Sequence, residues 1–250
     1  MTFSSSDCRT RRAATRLVLL TACFQGCAQG NNDVAIGQAY VRPTTLAVAP
    51  ILNFSGQFQL DPIKTADLLA SELSFVRGVT VLPVSRVVAY LASQGKSQIE
   101  SPAEALAVAE GIGADGIVVA GITEYDAYTP VVGVVLQIYS PRRESTPAFD
   151  AVAASRLSRP FVVTRMADPL LPTSQIQAVY NADHDRVRDA VRQYARPRTS
   201  PEDQLGWRRY LKVQSLYLRF CWHQAVKGLM NQERSRRMLL AVAKDKEAPA

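Results

Sequence analysis

Between residues 46 and 140, continuous apolar runs alternate with segments whose apolar residues recur every three to four positions. The run "LAVAPI", which starts at Leu46, contains no polar position and therefore predicts a strand buried on both faces. Asp61 is a suitable N-cap and Pro62 a suitable first helical residue, so a helix is expected to begin there with an apolar stripe facing the core. The stripe comprises Ile63, Ala66, Leu69, Leu73 and Val76.

The same pattern continues to residue 140. The segment "VTVLP" predicts a second strand, and "VSRVVAYLASQG" predicts a second helix that ends at Gly95. Ser101 and Glu104 form a Ser-x-x-Glu capping box, which predicts the start of a third helix. The apolar segments "DGIVVAGITEYDAY" and "VVGVVLQIYSP" predict two more strands, side by side. The expected fold is α/β, a β-α-β-α-α-β-β sandwich with a mixed sheet and a C-terminal helical extension.

The C-terminal part of the chain is expected to be helical. The pattern weakens over residues 142–172, where we expect one further strand at Phe161–Thr164. Helical spacing returns from about Ala182 to Arg196, and a second helical segment is expected to start at Ser200. Its apolar face favours docking on its own domain over docking on a partner. That face comprises Trp207, Tyr210, Leu211, Tyr217, Leu218, Cys221, Ala225 and Leu229.

Charge is distributed unevenly along the chain. Residues 181–250 carry fifteen Lys and Arg against eight Asp and Glu, a net charge of +7. A basic surface can meet phospholipid head groups, an acidic protein or nucleic acid. An arginine-rich helix face exposed to solvent is the simpler interpretation, and we favour it.

The N-terminus has the pattern of an export signal. Arginines up to Arg16 precede the apolar run "LVLLTACFQGC", which is too short to span a bilayer. Such a basic region followed by a short apolar region predicts a signal peptide. Cys23 and Cys27 both stand where a lipoprotein cysteine is expected. The residues before Cys23 fit the pattern that precedes a lipoprotein cysteine better than those before Cys27. Cys27, however, leaves an apolar region of the usual length after Arg16. We therefore predict lipid attachment at Cys27, with Cys23 as the alternative.

Diacylglycerol joined to this cysteine through a thioether would hold the mature chain on a membrane. The polar stretch behind it is expected to act as a tether. We therefore expect a signal peptide at 1–26, a tether at 27–44, the α/β domain at 45–165 and a basic helical extension at 166–250.

Gly111, Gly113 and Gly116 have the G-x-G-x-x-G spacing of a dinucleotide-binding turn. That turn binds pyrophosphate when it follows a strand and opens a helix. Here the order is reversed, because a predicted helix ends at Gly111 and a predicted strand starts at Gly116. A helix C-terminus is the negative end of the helix dipole and repels phosphate. We interpret the glycines as a helix C-cap followed by a tight turn, and we expect no cofactor.

Other catalytic patterns are absent from the sequence. It contains no G-x-S-x-G, no H-E-x-x-H and no G-x-x-x-x-G-K-[ST]. His184 and His223 have no Cys or carboxylate at metal-ligand spacing, so both are expected as packed or helix-surface residues. No catalytic residue and no metal is predicted.

The end of the predicted central strand is the first place to look for a ligand or partner contact. Glu124, Tyr125, Asp126 and Tyr128 combine acidic and aromatic side chains within five positions. Two carboxylates two positions apart more often flank a strand end in water, so this remains a candidate contact region.

The segments "LAVAPILNFSG", "DLLASELSFVRGVTVLPVSRV" and "AEGIGADGIVVAGITEY" resemble the α/β domain of envelope lipoproteins in the curli-secretion (CsgG-like), LpoB and TolB N-terminal group. The resemblance covers about residues 45–140, and its motifs mark the fold. It implies a non-enzymatic part of envelope machinery: a secretion pore subunit, an activator of cell-wall synthases or an accessory factor. Long alternating amphipathic hairpins are absent, so a pore is not expected.

These inferences together predict a lipid-anchored protein of the cell envelope whose domain faces the periplasm, with the outer membrane favoured. Its expected partners are the membrane, through the lipid, and an envelope protein. Nucleic acid is not expected, and homo-oligomerisation stays open. We expect an interaction, assembly or accessory factor and no enzyme. The alternative is a binding module for a glycan or peptidoglycan fragment, with a hydrolase as a distant third.

Overall fold

A computed structural model describes residues 35–141 and 170–247 of the chain, with side chains described up to residue 241. All of them belong to one compact unit, Asp33–Ala250. The strands are β1 (Thr44–Val48), β2 (Leu52–Asn53), β3 (Val79–Val81), β4 (Gly116–Asp126), β5 (Val131–Tyr139) and β6 (Ser174–Asn181). The α-helices are α1 (Pro62–Leu73), α2 (Val84–Ser93), α3 (Pro102–Gly111), α4 (Asp185–Ala195), α5 (Arg209–Lys212) and α6 (Gln214–Glu247).

The strands form one mixed sheet in the order β3-β1-β4-β5-β6. Strand β1 lies between β3 and β4 and is parallel to both, and the short β2 is also parallel to β4. Strand β5 is antiparallel to both β4 and β6. The predicted α/β class with a mixed sheet is confirmed.

Local sequence explains where the helices start. Asp61 Oδ1 accepts hydrogen bonds from two backbone N–H groups of the first turn of α1, and Pro62 is the first helical residue. At the start of α3, Ser101 Oγ accepts a hydrogen bond of 3.2 Å from the backbone N–H of Glu104. Both predicted helix starts are confirmed.

Helices cover both faces of the sheet. Leu46 and Val48 of β1 belong to the core that includes α1, α4 and α6. Ala47, between them, belongs to the core on the other face, with α2 and α3. Side chains alternate between the two faces of a strand, so residues 46–48 of β1, which are covered on both sides, are all apolar. The prediction that this strand is buried on both faces is confirmed.

Helix α6 docks on the sheet of its own domain, as expected. Phe220, Cys221 and Trp222 are fully buried in the core that also holds residues of α1. Tyr180 of β6 contacts Phe220 edge to face, with ring centroids 5.9 Å apart. Within the described ranges, no helix combines the length and the hydrophobicity needed to cross a bilayer.

Three details of the predicted elements need correction. Strand β6 was not predicted, although exposed and more buried positions alternate along most of it. Ile63 is 45% exposed, because it shares a helix face with the exposed residue Asp67. The last long helix starts at Gln214 and not at Ser200, because the backbone is extended at Val213.

Part of the predicted organisation lies outside the described residues. The strand expected at Phe161–Thr164 lies outside them, and so do residues 1–34. The proposed boundaries between signal peptide, tether, domain and extension stay predictions.

Candidate functional site

The four predicted contact residues lie at the end of the hairpin formed by β4 and β5. Glu124, Asp126 and Tyr128 are exposed, whereas Tyr125 is half-buried and packs against the core that includes α6. Side chains alternate along a strand, so Tyr125 points away from the face that carries Glu124 and Asp126. The hairpin therefore does not bring all four side chains into one group.

Asp126 holds the turn between β4 and β5. Its Oδ1 accepts hydrogen bonds from the backbone N–H groups of Tyr128, at 2.8 Å, and Thr129, at 3.3 Å. A carboxylate that accepts from residues two and three positions later closes an Asx-type turn. The position of Tyr128 therefore depends on Asp126.

A cavity of about 410 Å³ lies beside this turn. It brings together three of the four predicted residues with three glutamines from the loop after β2 and from the start of α6. The lining includes Gln57, Gln59, Tyr125, Asp126, Tyr128 and Gln214, and does not include Glu124. Residues with amide, phenol and carboxylate side chains therefore line one concave surface.

Exposed aromatic residues accompany this cavity. Phe58, between two of the glutamines, is fully exposed, and so is Tyr128. Phe54 is also exposed, and its ring lies over Gly121 of β4, where a Cβ atom would be 2.9 Å from the ring. Large aromatic residues that stay exposed indicate a contact surface. We define the hairpin surface as Phe54, Phe58, Tyr125, Asp126 and Tyr128.

Glu72 of α1 is a buried carboxylate that no sequence pattern predicted, and it is 1% exposed. Tyr194 Oη donates a hydrogen bond of 2.9 Å to its Oε1, and His223 Nδ1 lies 3.2 Å from its Oε2. Arg219 Nε lies 3.5 Å from Oε1. Burial and the neighbouring Glu72 raise the pKa of Tyr194, so the phenol stays protonated and able to donate.

The two histidines occupy different surroundings. His223 is half-buried, and its ring centroid lies 4.9 Å from that of Tyr194, which confirms the expectation of a packed residue. His184 is exposed and directly precedes α4, without a side-chain capping bond. Across the described ranges, no three residues among His, Cys, Asp and Glu are grouped so that they could hold a metal ion.

A second buried carboxylate, Glu233 of α6, joins this helix to β6. Ser174 Oγ donates a hydrogen bond of 2.5 Å to Glu233 Oε2, and Arg236 and Arg237 donate to Oε1 at 2.7 and 2.8 Å. Burial alone would raise the pKa of Glu233, but the hydrogen bonds from Arg236 and Ser174 outweigh it and lower this pKa to about 2. The group is therefore a charged anchor inside the fold.

A larger cavity, of about 690 Å³, lies between the end of α1 and the connection from α4 to α6. We call it the arginine cleft, after Arg198, Arg209 and Arg219. It shares no lining residue with the cavity at the hairpin. The rest of its lining is Glu72, Phe75, Tyr194, Thr199, Ser200, Glu202, Asp203, Tyr210 and Leu216.

The three glycines of the G-x-G-x-x-G spacing connect a helix to a strand. Gly111 is the last residue of α3, Gly113 has a φ of +73°, and Gly116 is the first residue of β4. The reversed order of helix and strand is confirmed, and so is the positive φ expected at the helix end. The backbone N–H groups near these glycines lie at a helix C-terminus, where the dipole disfavours phosphate.

The two cysteines predicted for lipid attachment, Cys23 and Cys27, lie outside the described residues. The structure therefore neither supports nor contradicts an attachment site. Lipidation stays a prediction from the sequence.

No protein-family model and no curated protein sequence matches the chain. Among solved structures, it is similar to lipoprotein GNA1162 from Neisseria meningitidis, with 16% identity over 56% of this chain and 81% of that chain, and a TM-score of 0.39. It is similar to the LpoB C-terminal domain from Salmonella enterica, with 13% identity over 41% and 75% of the two chains and a TM-score of 0.35. It is also similar to the PelC dodecamer from Paraburkholderia phytofirmans, with 18% identity over 43% of this chain and 67% of that chain, and a TM-score of 0.26. Because these TM-scores are low, the similarities carry no inference about function or partners, and the resemblance to curli-secretion and TolB proteins stays a prediction.

Proposed function

We propose that this chain is a lipid-anchored protein of the bacterial cell envelope that acts through protein contacts as a non-enzymatic assembly or accessory factor. The domain faces the periplasm, on the outer membrane, and the lipid on Cys27, or alternatively Cys23, holds it there. The proposal of an anchor rests on the basic region, the short apolar run and the cysteines, in that order along the N-terminus.

The exposed aromatic residues of the hairpin surface are the observation that carries the proposed mode of action. Phe58 and Tyr128 are fully exposed, and one cavity is lined by Tyr128 and by Gln57 and Gln59, the two neighbours of Phe58 in sequence. Exposed large aromatic residues are enriched at protein interfaces, where they supply much of the buried apolar area. An envelope protein docked here would cover Phe58 and Tyr128, and Asp126 would hold the turn that positions Tyr128.

The anchor is tested with Cys23→Ser, Cys27→Ser and the double variant, by acyl labelling and membrane fractionation. We expect one single variant to lose the label and the double variant to leave the membrane fraction. If all three variants stay acylated and membrane-bound, the chain is not a lipoprotein of this kind.

The contact surface is tested in intact cells with a photo-crosslinking amino acid placed at Phe58 or at Tyr128. Gln94, exposed at the end of α2, is the matched control position. We expect discrete products from the two hairpin positions that are absent from the control, and mass spectrometry identifies the partner. Absence of such products, or the same products from all three positions, would contradict the proposal. A product made of two copies of this chain would replace the envelope partner with a homo-oligomer.

The cavity of about 410 Å³ supports a second candidate, a binding module for a glycan or peptidoglycan fragment. Its glutamine, tyrosine and aspartate side chains can hydrogen-bond to sugar hydroxyl groups. Titration of the full chain with a soluble peptidoglycan fragment, followed by calorimetry, tests this candidate. We expect saturable binding that Tyr128→Ala weakens, and no saturable binding would exclude a site of this class.

A further inference from the structure

The arginine cleft contains hydrogen-bond donors that are not used within the fold. Arg198 Nη2, Thr199 Oγ1 and Arg219 Nε are buried and have no hydrogen-bond partner in the part of the chain that the structure describes. All three residues line the cleft. Arg219 Nε lies 3.5 Å from the carboxylate of Glu72, so Arg198 Nη2 and Thr199 Oγ1 are the two donors left without a charged or hydrogen-bonding partner among the described residues. Buried polar groups are nearly always paired, so two such donors beside one cavity indicate a ligand or ordered water between them.

The guanidinium group of Arg198 is held in a defined position. Its Nη1 donates a hydrogen bond of 2.8 Å to the backbone oxygen of Tyr194. Its Cζ lies 3.8 Å from the centroid of the Tyr194 ring and 5.7 Å from that of Phe75. A stacked guanidinium presents its remaining donors at fixed angles, which suits a planar or tetrahedral oxyanion.

Two of the three acidic residues that line the cleft, Glu72 and Asp203, already interact with other groups through their carboxylates. Glu72 accepts from Tyr194 and lies near Arg219. Asp203 accepts a hydrogen bond of 3.3 Å from Arg209. None of the ion pairs formed among the described residues involves Arg198. Its positive charge is therefore available to an anion from outside the chain.

We propose that the arginine cleft binds a small ligand through an oxyanion group, either a carboxylate or a phosphate. Arg198 Nη2 and Thr199 Oγ1 donate hydrogen bonds to this group, and the apolar body of the ligand packs against Phe75, Tyr210 and Leu216 on the walls. A volume of about 690 Å³ is within the range of small-molecule sites. The cleft is separate from the hairpin surface, so this activity goes beyond the proposed function and stands or falls independently of it.

The test uses the full chain in detergent solution and isothermal titration calorimetry with four probes. Inorganic phosphate tests the anion alone, and phenyl phosphate adds a ring that can pack against the walls. Benzoate distinguishes a carboxylate from a phosphate. Monomeric dihexanoyl phosphatidylglycerol distinguishes a lipid head group from a soluble ligand. We expect phenyl phosphate or benzoate to bind saturably and more tightly than inorganic phosphate; saturable binding of the short-chain lipid alone would assign the site to a head group.

Two variants assign the binding to the cleft. Arg198→Gln removes a charge-assisted donor and should weaken binding of the best probe by about tenfold or more. Thr199→Val removes one hydroxyl at nearly constant volume and should weaken it by roughly threefold. The matched control is Arg86→Gln, which removes one exposed arginine of α2 on the other side of the sheet, and it should leave binding unchanged.

Three results would overturn the proposal. In the first, no probe binds saturably. In the second, Arg86→Gln weakens binding as much as Arg198→Gln, which would indicate a general effect of net charge. In the third, Arg198→Gln and Thr199→Val both bind the best probe with unchanged affinity. That result would mean that the unpaired donors bond only to water. If Arg198→Gln does not fold, the nearly isosteric Thr199→Val decides the outcome.

Discussion

Tyr194 Oη donates a hydrogen bond of 2.9 Å to Oε1 of Glu72, a carboxylate that is only 1% exposed. Glu72 belongs to α1 and Tyr194 to α4, so this bond joins the N-terminal helix of the sheet domain to the C-terminal helices. A buried carboxylate is strongly unfavourable without donors, so the stability of this packing depends on the phenol.

Tyr194→Phe should lower the free energy of unfolding by about 1.5–3 kcal/mol, because it removes a hydrogen bond to a buried charged group. Urea unfolding followed by circular dichroism measures the loss. Tyr128→Phe is the control, because this fully exposed phenol should contribute almost nothing to stability. Equal stability of the two variants would show that Glu72 does not need the phenol.

The carboxylate of Glu233 makes stability depend on acid pH. Its pKa falls from an ordinary 4.5 to about 2 in the folded chain, because the hydrogen bonds from Arg236 and Ser174 outweigh burial. The charged form is therefore favoured by folding, which contributes about 3 kcal/mol above pH 5. This contribution is lost as the pH falls from about 5 to about 2, because the unfolded state takes up the proton in this range while the folded state remains charged. Below about pH 2 the folded state is protonated as well, and no difference remains.

Glu233→Gln should therefore be less stable than the natural chain at pH 7, and the difference should narrow below pH 5. Urea unfolding at a series of pH values measures the free energy of unfolding of the natural chain and of Glu233→Gln. General effects of acid cancel when one free energy is subtracted from the other. The exposed Glu124→Gln serves as control and should follow the natural chain at each pH. A difference that is constant from pH 7 to pH 2 would contradict this role of the carboxylate.

Features that depend on neighbouring positions were predictable from the sequence. The caps at Asp61 and Ser101 and the glycine turn at Gly113 are of this kind, because each depends on residues within one turn. The buried Glu72 was not predictable, since its partners Tyr194 and His223 lie more than a hundred positions away. Nothing in a local pattern distinguishes a carboxylate that faces such partners from one that faces water.

The same reasoning explains the missed strand and the misplaced helix start. Strand β6 follows a segment with weak pattern, and its pairing with β5 is a tertiary contact. Trp207 and Tyr210 have helical spacing relative to α6, but Gly206, with a φ of +50°, and the extended Val213 divide this region into short turns. Spacing alone could therefore not reveal the arginine cleft, which these turns help to form.

Gly113 is required for its backbone conformation. Its φ of +73° disfavours residues with a Cβ atom, and among the described residues no atom lies within 4 Å of the place where that Cβ would be. Gly113→Ala should therefore destabilise the fold by about 1–2 kcal/mol through the backbone alone. Gly113→Asn should cost less, because Asn tolerates this conformation better. Thermal unfolding of the two variants shows which of them is more stable. If Gly113→Ala is as stable as the natural chain, glycine is not required at this position.

Asp126 provides a test that separates the architecture of the hairpin surface from its chemistry. The Oδ1 atom of Asp126 accepts from the N–H groups of Tyr128 and Thr129, and an asparagine can accept in the same way. Asp126→Asn should therefore keep the turn, whereas Asp126→Ala should lose both bonds and about 1 kcal/mol of stability.

We expect the position of Tyr128 to matter more for docking than the charge of Asp126. Crosslinking from position 128 should then persist in Asp126→Asn and fall in Asp126→Ala, and thermal unfolding of both variants measures the accompanying change in stability. The opposite pattern, in which Asp126→Asn keeps its stability but loses the crosslink, would show that the carboxylate contacts the partner directly. In that case the main task of Asp126 would be recognition, and the turn would be secondary.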